Sequence, residues 1–381
     1  MESLNLLIRV AFSLFVMVFI VLHYTSICLF SSPRKSSHSG HVKNVQWKVS
    51  VIIPAHNEED LIEGLILRLR GSSYPIHEII VVDDGSTDST YEVARNMSVN
   101  VLRNKERLGK PAASNAAVRE AKGDIVVIFD ADTLPDKDCV GHLVKHFELE
   151  DVGAVVGCAK VLENGFISKL VGLEFNLCFY LIEPFSDKFN FFPIVHGANF
   201  AIKRELAHFR EDALTEDFDL TVNLTKKGYK IRFQPEAVNY VSAPSSFFLL
   251  VRQRERWLEG ILETCVWNRG FWKKVFPRLG FLGLFLKALE YVIPLVWASS
   301  FSLFCISLLL NDFFLLLTAL ASVMTCTLTM FYAQFRSKDK MTCLLCVPFL
   351  SYFYNLFVAW LFLKSLVLRV FSRKLVTAGK E

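Results

Sequence analysis

Apolar runs that end at acidic residues alternate with amphipathic stretches through the middle of this chain of 381 residues. Continuous apolar runs of this kind are typical of strands buried on both faces of a sheet, whereas the stretches between them have helical spacing. Such an alternation favours a parallel sheet covered by helices on both sides. We therefore predict a mainly parallel α/β domain, with strands at 48–54, 77–82, 99–103, 124–129 and 153–161 and helices at 58–70, 88–96 and 111–121.

Acidic residues stand directly after the predicted strands. Asp83 and Asp84 follow the apolar part of the second strand, Asp130 and Asp132 follow the fourth, and Asp217 lies farther along the chain. Ligands of open parallel sheets bind at the carboxyl ends of the strands. We expect these carboxylates to converge on one cleft, where they can hold a metal ion, a nucleotide and an acceptor hydroxyl.

Four motifs carry a resemblance to a known family: Val82-Asp83-Asp84-Gly85-Ser86, Asp130-Ala131-Asp132, Thr215-Glu216-Asp217 and Gln253-Arg254-Glu255-Arg256-Trp257. In this order, the segment 48–257 resembles a family 2 glycosyltransferase with the Rossmann-like GT-A fold. It is similar to the membrane-embedded branch that includes hyaluronan, cellulose and chitin-oligosaccharide synthases. The resemblance implies metal-dependent, inverting transfer of a sugar from a nucleotide sugar, expected to be a UDP-sugar, to a growing polysaccharide or oligosaccharide.

The loop after the first predicted strand opens a helix, where backbone N–H groups can grip a nucleotide. The resemblance makes Glu58 the best donor-binding candidate there, although Asn57 can also serve only as a helix cap. Lys110 can offset phosphate charge or can simply be a solvated lysine at a helix start. The full set of residues that the resemblance assigns to nucleotide-sugar binding is Pro54, Glu58, Asp83, Asp84, Lys110, Asp130, Gln253, Arg256 and Trp257.

Asp130 and Asp132 are the candidate metal ligands. In an extended loop, residues two apart point to the same side, and hard carboxylate oxygens suit Mg²⁺ or Mn²⁺. Such an ion would bridge the diphosphate and neutralise charge on the leaving nucleotide. A plain turn is the alternative interpretation of these residues.

The candidate catalytic residues are Asp217 and Glu216. Two acids after Thr215 are also what a helix start with favourable dipole charges would contain. The resemblance makes Asp217 the general base that takes the proton from the acceptor hydroxyl. The reaction needs one such base opposite the leaving nucleotide.

Acceptor-side residues are expected to be His196, Gly197 and Trp257, although His196 can equally be a structural loop residue. On a helix, Gln253, Arg256 and Trp257 lie close together on one side. The arginine can clamp a diphosphate and the indole can support a sugar ring. The alternative is an amphipathic helix on a membrane surface.

The composition points to a membrane protein, because 52% of the residues are hydrophobic and the mean hydropathy is +0.35. We predict one membrane span within 6–30 and three more within 286–310, 313–335 and 341–370. A cleaved signal peptide is the competing interpretation of the first, but that run is too long and no cleavage site follows it. Basic residues after the first span and between the third and fourth place the catalytic domain in the cytosol of an integral, multi-pass protein.

The predicted organisation is an anchor at 1–32, a linker at 33–47, a GT-A catalytic domain at 48–245, interfacial amphipathic helices at 246–284, membrane helices at 285–371 and a tail at 372–381. The net charge of +4 suits contact with membrane lipids and not with nucleic acid. Nine scattered cysteines indicate no disulfide framework. The oligomeric state is left open.

Three functions are compatible with these motifs. The first is a synthase of polysaccharide or oligosaccharide, and the second is transfer of one sugar to a membrane lipid such as a polyprenyl phosphate or a ceramide-like acceptor. The third is an inactive scaffold that binds nucleotide without turnover, which the intact set of carboxylates disfavours. A dinucleotide-binding dehydrogenase fits poorly, since no G-x-G-x-x-G follows the first strand.

Overall fold

The structure, a computed structural model, describes residues 46–162, 165–190, 193–268, 270, 313–337, 360 and 364. Its centre is an eight-stranded sheet with the strand order β3-β2-β1-β4-β7-β6-β8-β5. The strands are β1 Val49–Ala55, β2 Glu78–Asp84, β3 Asn100–Asn104, β4 Ile125–Phe129, β5 Thr133–Pro135, β6 Val152–Val161, β7 Asn199–Lys203 and β8 Lys230–Val241.

Nine α-helices lie within the described residues. They are α1 Ile62–Arg70, α2 Thr90–Asn96, α3 Lys110–Glu120, α4 Cys139–Val144, α5 Phe166–Leu177, α6 Glu183–Phe189, α7 Glu216–Lys226, α8 Phe247–Trp267 and α9 Phe313–Ser337. A π-helical turn, Cys178–Ile182, joins α5 to α6. The predicted elements of the first half are confirmed, apart from shifts of a few residues at their ends.

The sheet is parallel in its first half, where β1 pairs with β2 and β4, and β2 pairs with β3. In the second half, β7 runs antiparallel to both β4 and β6, and β5 runs antiparallel to β8, whereas β6 and β8 are parallel. The prediction of a mainly parallel sheet is therefore wrong for the second half. The reason is that the chain stays at the carboxyl end of β6 through α5 and α6, so that β7 re-enters the sheet from that edge.

The core has two layers, one on each face of the sheet. Because successive strand residues point to opposite faces, Ile52 of β1 packs in the layer under α3, whereas Val51 and Ile53 pack in the layer under α1. Burial of each such side chain contributes roughly 1.5–3 kcal/mol relative to exposure. Both faces are thus anchored, which holds the strand ends in place.

The C-terminal half of α9 packs against α5. Met330 packs against Leu173 of α5, and the Asn176 side chain donates a buried hydrogen bond of 2.8 Å to Gln334. Among the residues that the structure describes, no helix is both long enough and apolar enough to traverse a bilayer. The predicted spans at 6–30, 286–310 and 341–370 lie outside the described residues, apart from 360 and 364.

Candidate functional site

The candidate site lies at the carboxyl ends of β1, β2 and β4. Ala55 at the end of β1 is in register with Asp83 of β2. Phe129, the last residue of β4, pairs with Asn199, the first residue of β7. The loops that carry Glu58, Asp130 and His196 therefore start or end at one edge of the sheet, as the sequence predicts for a cleft.

Asp84 is buried, and both of its carboxylate oxygens accept hydrogen bonds from the protein. One oxygen accepts hydrogen bonds from the Asn104 side chain at 2.8 Å and from the Leu108 N–H at 2.9 Å. The other accepts from the Gly109 N–H at 2.7 Å. These charge-assisted bonds fix the loop that leads to Lys110 at the start of α3.

Asp83 is also buried and paired. It accepts a hydrogen bond from the Ser86 N–H at 3.1 Å and forms an ion pair with Arg103, whose Nε lies 3.1 Å from a carboxylate oxygen. The structure thus places both acids of the motif in contacts within the protein. Pro54, another predicted donor residue, is buried within β1 opposite Val82. The nucleotide contacts of these three residues stay predictions.

Glu58, Asp130 and Asp132 form a second group of acids, which we call the acid cluster. Burial, together with repulsion from Asp132 and then Asp130, raises the pKa of Glu58 to about 7. Burial and the charge of Asp130 raise the pKa of Asp132 to about 6. Crowded carboxylates with raised pKa values are the arrangement that a bound cation relieves, and hard oxygen ligands suit a divalent ion.

Lys110 lies between Asp130 and the start of α7. Its Nζ lies 2.5 Å from an Asp130 oxygen and 3.3 Å from a Glu216 oxygen, and it donates to the Gly197 carbonyl at 3.2 Å. Burial alone would lower the pKa of Lys110, but the charges of Asp130 and Glu216 outweigh it and raise the pKa above its usual range. Lys110 therefore stays protonated and joins the acid cluster to the start of α7.

Asp217 lies in the first turn of α7. One carboxylate oxygen accepts a hydrogen bond from the Gly197 N–H at 2.9 Å, and the other accepts from the Phe218 N–H at 2.8 Å. Burial and the adjacent charge of Glu216 raise the pKa of Asp217, whereas the charge of Lys110 opposes this rise. A carboxylate with a raised pKa is a stronger base, which is what proton abstraction requires.

Gly197 permits this close approach. A β-carbon at this position would lie 3.0 Å from the Asp217 carboxylate and 3.0 Å from Lys110 Nζ. A side chain would therefore displace the carboxylate of Asp217 and the ammonium group of Lys110 from these positions. The glycine that the sequence places on the acceptor side thus acts through its backbone N–H and its carbonyl.

The side chains of the last motif lie on α8 and separate into two groups. Arg254 is buried, donates to Gln253, pairs with Glu174 of α5 and stacks over the Trp257 ring at 4.1 Å. Arg256 is exposed and donates to the Leu214 carbonyl at 3.3 Å. The sequence analysis named Arg256 as a ligand-binding residue. It missed Arg254, the arginine that holds Gln253 and Trp257 in place.

The helix α8 approaches the loop before Asp217 closely. A β-carbon at Gly260 would lie 2.4 Å from the Thr215 hydroxyl oxygen, so only glycine allows this contact. This close contact and the hydrogen bond from Arg256 to the Leu214 carbonyl join α8 to the loop directly before α7. The Gln253, Arg256 and Trp257 contacts with a ligand stay predictions.

The His196 side chain contacts Glu183 and Phe179. Its Nε2 lies 3.2 Å from a Glu183 oxygen, and its ring packs edge-on against Phe179 with centroids 4.9 Å apart. Sequence reasoning missed Glu183, a buried carboxylate with no motif around it. No local signal identifies it, since its partner lies 13 residues away.

Comparison with known proteins agrees with this geometry. Residues 50–209 match the family model for glycosyl transferase family 2. The chain is 34% identical over 232 residues to the probable glycosyltransferase YdaM of Bacillus subtilis. That alignment covers 56% of this chain and 55% of the relative. The chain is 26% identical over 263 residues to a poly-β-1,6-N-acetyl-D-glucosamine synthase of Staphylococcus aureus. That alignment covers 65% of this chain and 62% of the synthase.

The matched regions thus span less than two thirds of the length of these relatives. Among solved structures, a mannosyltransferase from Pyrobaculum calidifontis, in complex with GDP-Man and Mn²⁺, aligns with a TM-score of 0.60 at 21% identity. That alignment covers 94% of this chain and 99% of the other, and it supports the fold. The family match over residues 50–209 and the structural similarity therefore support a glycosyltransferase domain of family 2 with a GT-A-like fold.

Proposed function

We propose that this protein is a metal-dependent, inverting glycosyltransferase that moves a sugar from a nucleotide sugar to a saccharide acceptor. One observation carries the proposal. The Asp217 carboxylate is held at 2.9 Å by the Gly197 N–H, and burial raises its pKa. It stands beside Lys110, which links it to the acid cluster.

Asp217 is the proposed general base. As the acceptor oxygen attacks the anomeric carbon of the donor sugar, its proton passes to a carboxylate oxygen of Asp217. The bond from that carbon to the diphosphate breaks, and the leaving nucleotide takes the electron pair. Attack from the side opposite to the leaving group inverts the configuration. The positive charge of Lys110 acts against the raised pKa of Asp217 and so favours its ionised form.

Asp130 and Asp132 would hold Mg²⁺ or Mn²⁺, with Glu58 nearby. Bound there, the ion would neutralise charge that develops on the diphosphate of the donor. The raised pKa values of Glu58, about 7, and of Asp132, about 6, support this assignment, because a cation removes the repulsion that causes part of each rise. Lys110 competes for Asp130, so donor and ion binding would loosen that ion pair.

A saccharide acceptor is favoured by the relative from Staphylococcus aureus, whose name describes a polymer of N-acetylglucosamine. The Trp257 ring, set by Arg254 stacking at 4.1 Å, offers an apolar face to such an acceptor. We further propose that the donor is a UDP-sugar and that the chain is an integral membrane protein with a cytosolic catalytic domain. The hydropathy of the chain and its basic flanks support the membrane location.

Transfer of one sugar to a membrane lipid is the second candidate. The observation that favours it is the exposed apolar side of α9, which carries Leu320, Met324 and Leu328 while the other end of the helix packs on α5. A lipid acceptor held along that helix would reach the domain that carries Asp217.

The test is turnover of the purified full chain in nanodiscs, with Mg²⁺ or Mn²⁺, against a panel of radiolabelled UDP- and GDP-sugars. Lipid-soluble and aqueous products are then separated. Label in a ladder of oligosaccharides supports the saccharide acceptor, and label confined to one lipid species supports the second candidate. Absence of nucleotide release from every donor would leave only an inactive scaffold.

A further inference from the structure

Three side chains with metal-binding atoms meet outside the acid cluster. They are Cys178 in the π-helical turn, Glu183 at the start of α6 and His196 in the loop before β7. Their ligand atoms all lie within 4.8 Å of one another. We propose that these residues form a second metal site, for a thiophilic divalent cation of the zinc type.

The distances suit a single ion. One nitrogen, Nε2 of His196, lies 3.2 Å from a Glu183 oxygen and 3.9 Å from the Cys178 sulfur. Zinc bonds to nitrogen, oxygen and sulfur are about 2.0–2.3 Å long, so neighbouring ligands of a tetrahedral ion are separated by roughly 3.3–3.7 Å. Small shifts of the side chains would bring all three onto one ion and leave a fourth position for water.

The backbone is built to bring two of these ligands together. In an α-helix, residues five apart point about 140° away from each other around the axis. The Glu183 N–H instead donates to the Cys178 carbonyl, an i+5 bond that closes a π-turn. Pro184, next in the chain, has no N–H to continue the regular α-helical pattern. As a result, Cys178 and Glu183 face His196 from the same side.

The ligand types select the ion. A sulfur, an imidazole nitrogen and a carboxylate oxygen together suit zinc, whereas Mg²⁺ prefers oxygen ligands alone. Glu183 is only 1% exposed, and a buried carboxylate needs a positive partner. A divalent cation supplies that charge more fully than the half-exposed imidazole of His196 can.

The surroundings already orient two of the ligands. The second Glu183 oxygen accepts from the Ile194 N–H at 3.4 Å, and the Phe179 ring packs against the His196 ring. Contacts of this kind set the direction of metal ligands. Because Gly197 follows His196 and its N–H holds Asp217, an ion here would fix the loop that positions the proposed base.

Zinc content and Co²⁺ spectra of the full chain test this site. We expect the purified protein to retain zinc and, after exchange, to show a thiolate-to-Co²⁺ charge-transfer band. Cys178→Ser is expected to lose both the band and the bound zinc. Cys265→Ser, which changes another half-buried cysteine outside the group, is the matched control and is expected to keep them.

Two further variants keep the test decisive. Asp132→Asn alters the acid cluster, which has no sulfur ligand, and should leave the thiolate band intact. Glu183→Gln preserves side-chain volume and should weaken Zn²⁺ binding on the order of tenfold or more. If Cys178→Ser does not fold, Glu183→Gln takes its place as the variant that tests the metal site.

A Cys178→Ser protein that keeps its zinc and its band would overturn the assignment. A wild-type protein that binds no zinc and gives no band would also overturn it and reduce the group to a Glu183–His196 hydrogen bond beside a thiol. None of these measurements requires sugar transfer, so they stand or fall separately from the proposed function.

Discussion

Two groups of acids lie at the same edge of the sheet and differ in what surrounds them. Asp83 and Asp84 are enclosed by donors of the protein: Asp84 accepts two backbone N–H bonds and one side-chain bond, and Asp83 pairs with Arg103. The acids of the other group, Glu58, Asp132 and Asp217, each lie near further carboxylates, and burial together with those charges raises their pKa values.

This difference separates acids that hold a loop in place from acids that can take up a proton or a cation. A carboxylate that accepts bonds from backbone N–H groups organises the loop that supplies those groups, and it keeps acceptor capacity for the predicted contacts with the nucleotide. Carboxylates with raised pKa values take up a proton or a cation readily, which is the property of acid–base and metal sites. Motifs that look alike in the sequence therefore divide into a structural pair and a reactive group.

The sharpest test of the reactive group is Asp217→Asn. The amide keeps the volume and one hydrogen-bond acceptor but cannot take the acceptor proton, so we expect transfer to fall by about 10²–10⁴-fold. Binding of the nucleotide sugar, measured by calorimetry, should persist.

Asp219→Asn is the matched control on the same helix. Asp219 is buried and accepts from the Asn223 side chain at 2.7 Å, and this variant should keep most of its transfer activity. Retained turnover in Asp217→Asn would remove that residue as the base.

Asp132→Asn tests the metal assignment. Loss of one hard oxygen ligand should weaken Mn²⁺-dependent nucleotide binding by about 10²-fold, since a bound cation contributes several kcal/mol of charge stabilisation. The measurement is nucleotide affinity with and without Mn²⁺. The same dependence on Mn²⁺ in the variant and the wild type would contradict this role.

The structural pair predicts the opposite pattern for Asp84→Asn. The amide nitrogen would replace one of the two oxygens and face the N–H group of either Leu108 or Gly109, so we expect the free energy of unfolding to fall by roughly 2–3 kcal/mol. Denaturant unfolding of the purified protein measures this loss.

Asp132→Asn is the contrast within the same experiment. The folded-state pKa of Asp132, about 6, lies above its ordinary value of 3.8, so ionisation costs stability as the pH rises through this window. Without metal at pH 7, the neutral variant should therefore be more stable by on the order of 2 kcal/mol, allowing for partial exposure. Equal destabilisation by both substitutions would erase the distinction between the two groups.

Local patterns predict the first half of the sheet well, because β1 to β4 are apolar runs that alternate with helices and their partners follow in sequence. The cleft followed from the same pattern, since parallel strands end at one edge. The antiparallel insertion of β7 was missed because it depends on where α5 and α6 return the chain. Arg254 and Glu174 were missed for a similar reason: they pair across 80 residues, and neither has a local signature.

The roles of the other site residues depend on burial and on distant contacts, which local sequence patterns do not show. Nothing in the order of residues indicates that the backbone of Leu108 and Gly109 would satisfy Asp84. Equally, the π-turn that brings Cys178 toward Glu183 depends on packing of α5 and α6 against the sheet. Identical residue types thus acquire different roles through contacts that lie far apart in the chain.

Lys110→Met gives the subtlest test of the comparison, because it removes the one cation shared by Asp130 and Glu216. The charge of Lys110 lowers the pKa of Asp217, so its loss should raise that pKa further. Activity rises with pH as the base loses its proton, and the acidic limb of the kcat/KM profile should therefore move to higher pH. Lys122→Met, at an exposed position after α3, should leave the limb in place. An unmoved limb with a raised KM for the donor would instead mean that Lys110 acts on the diphosphate, and that the base is held ionised by other groups.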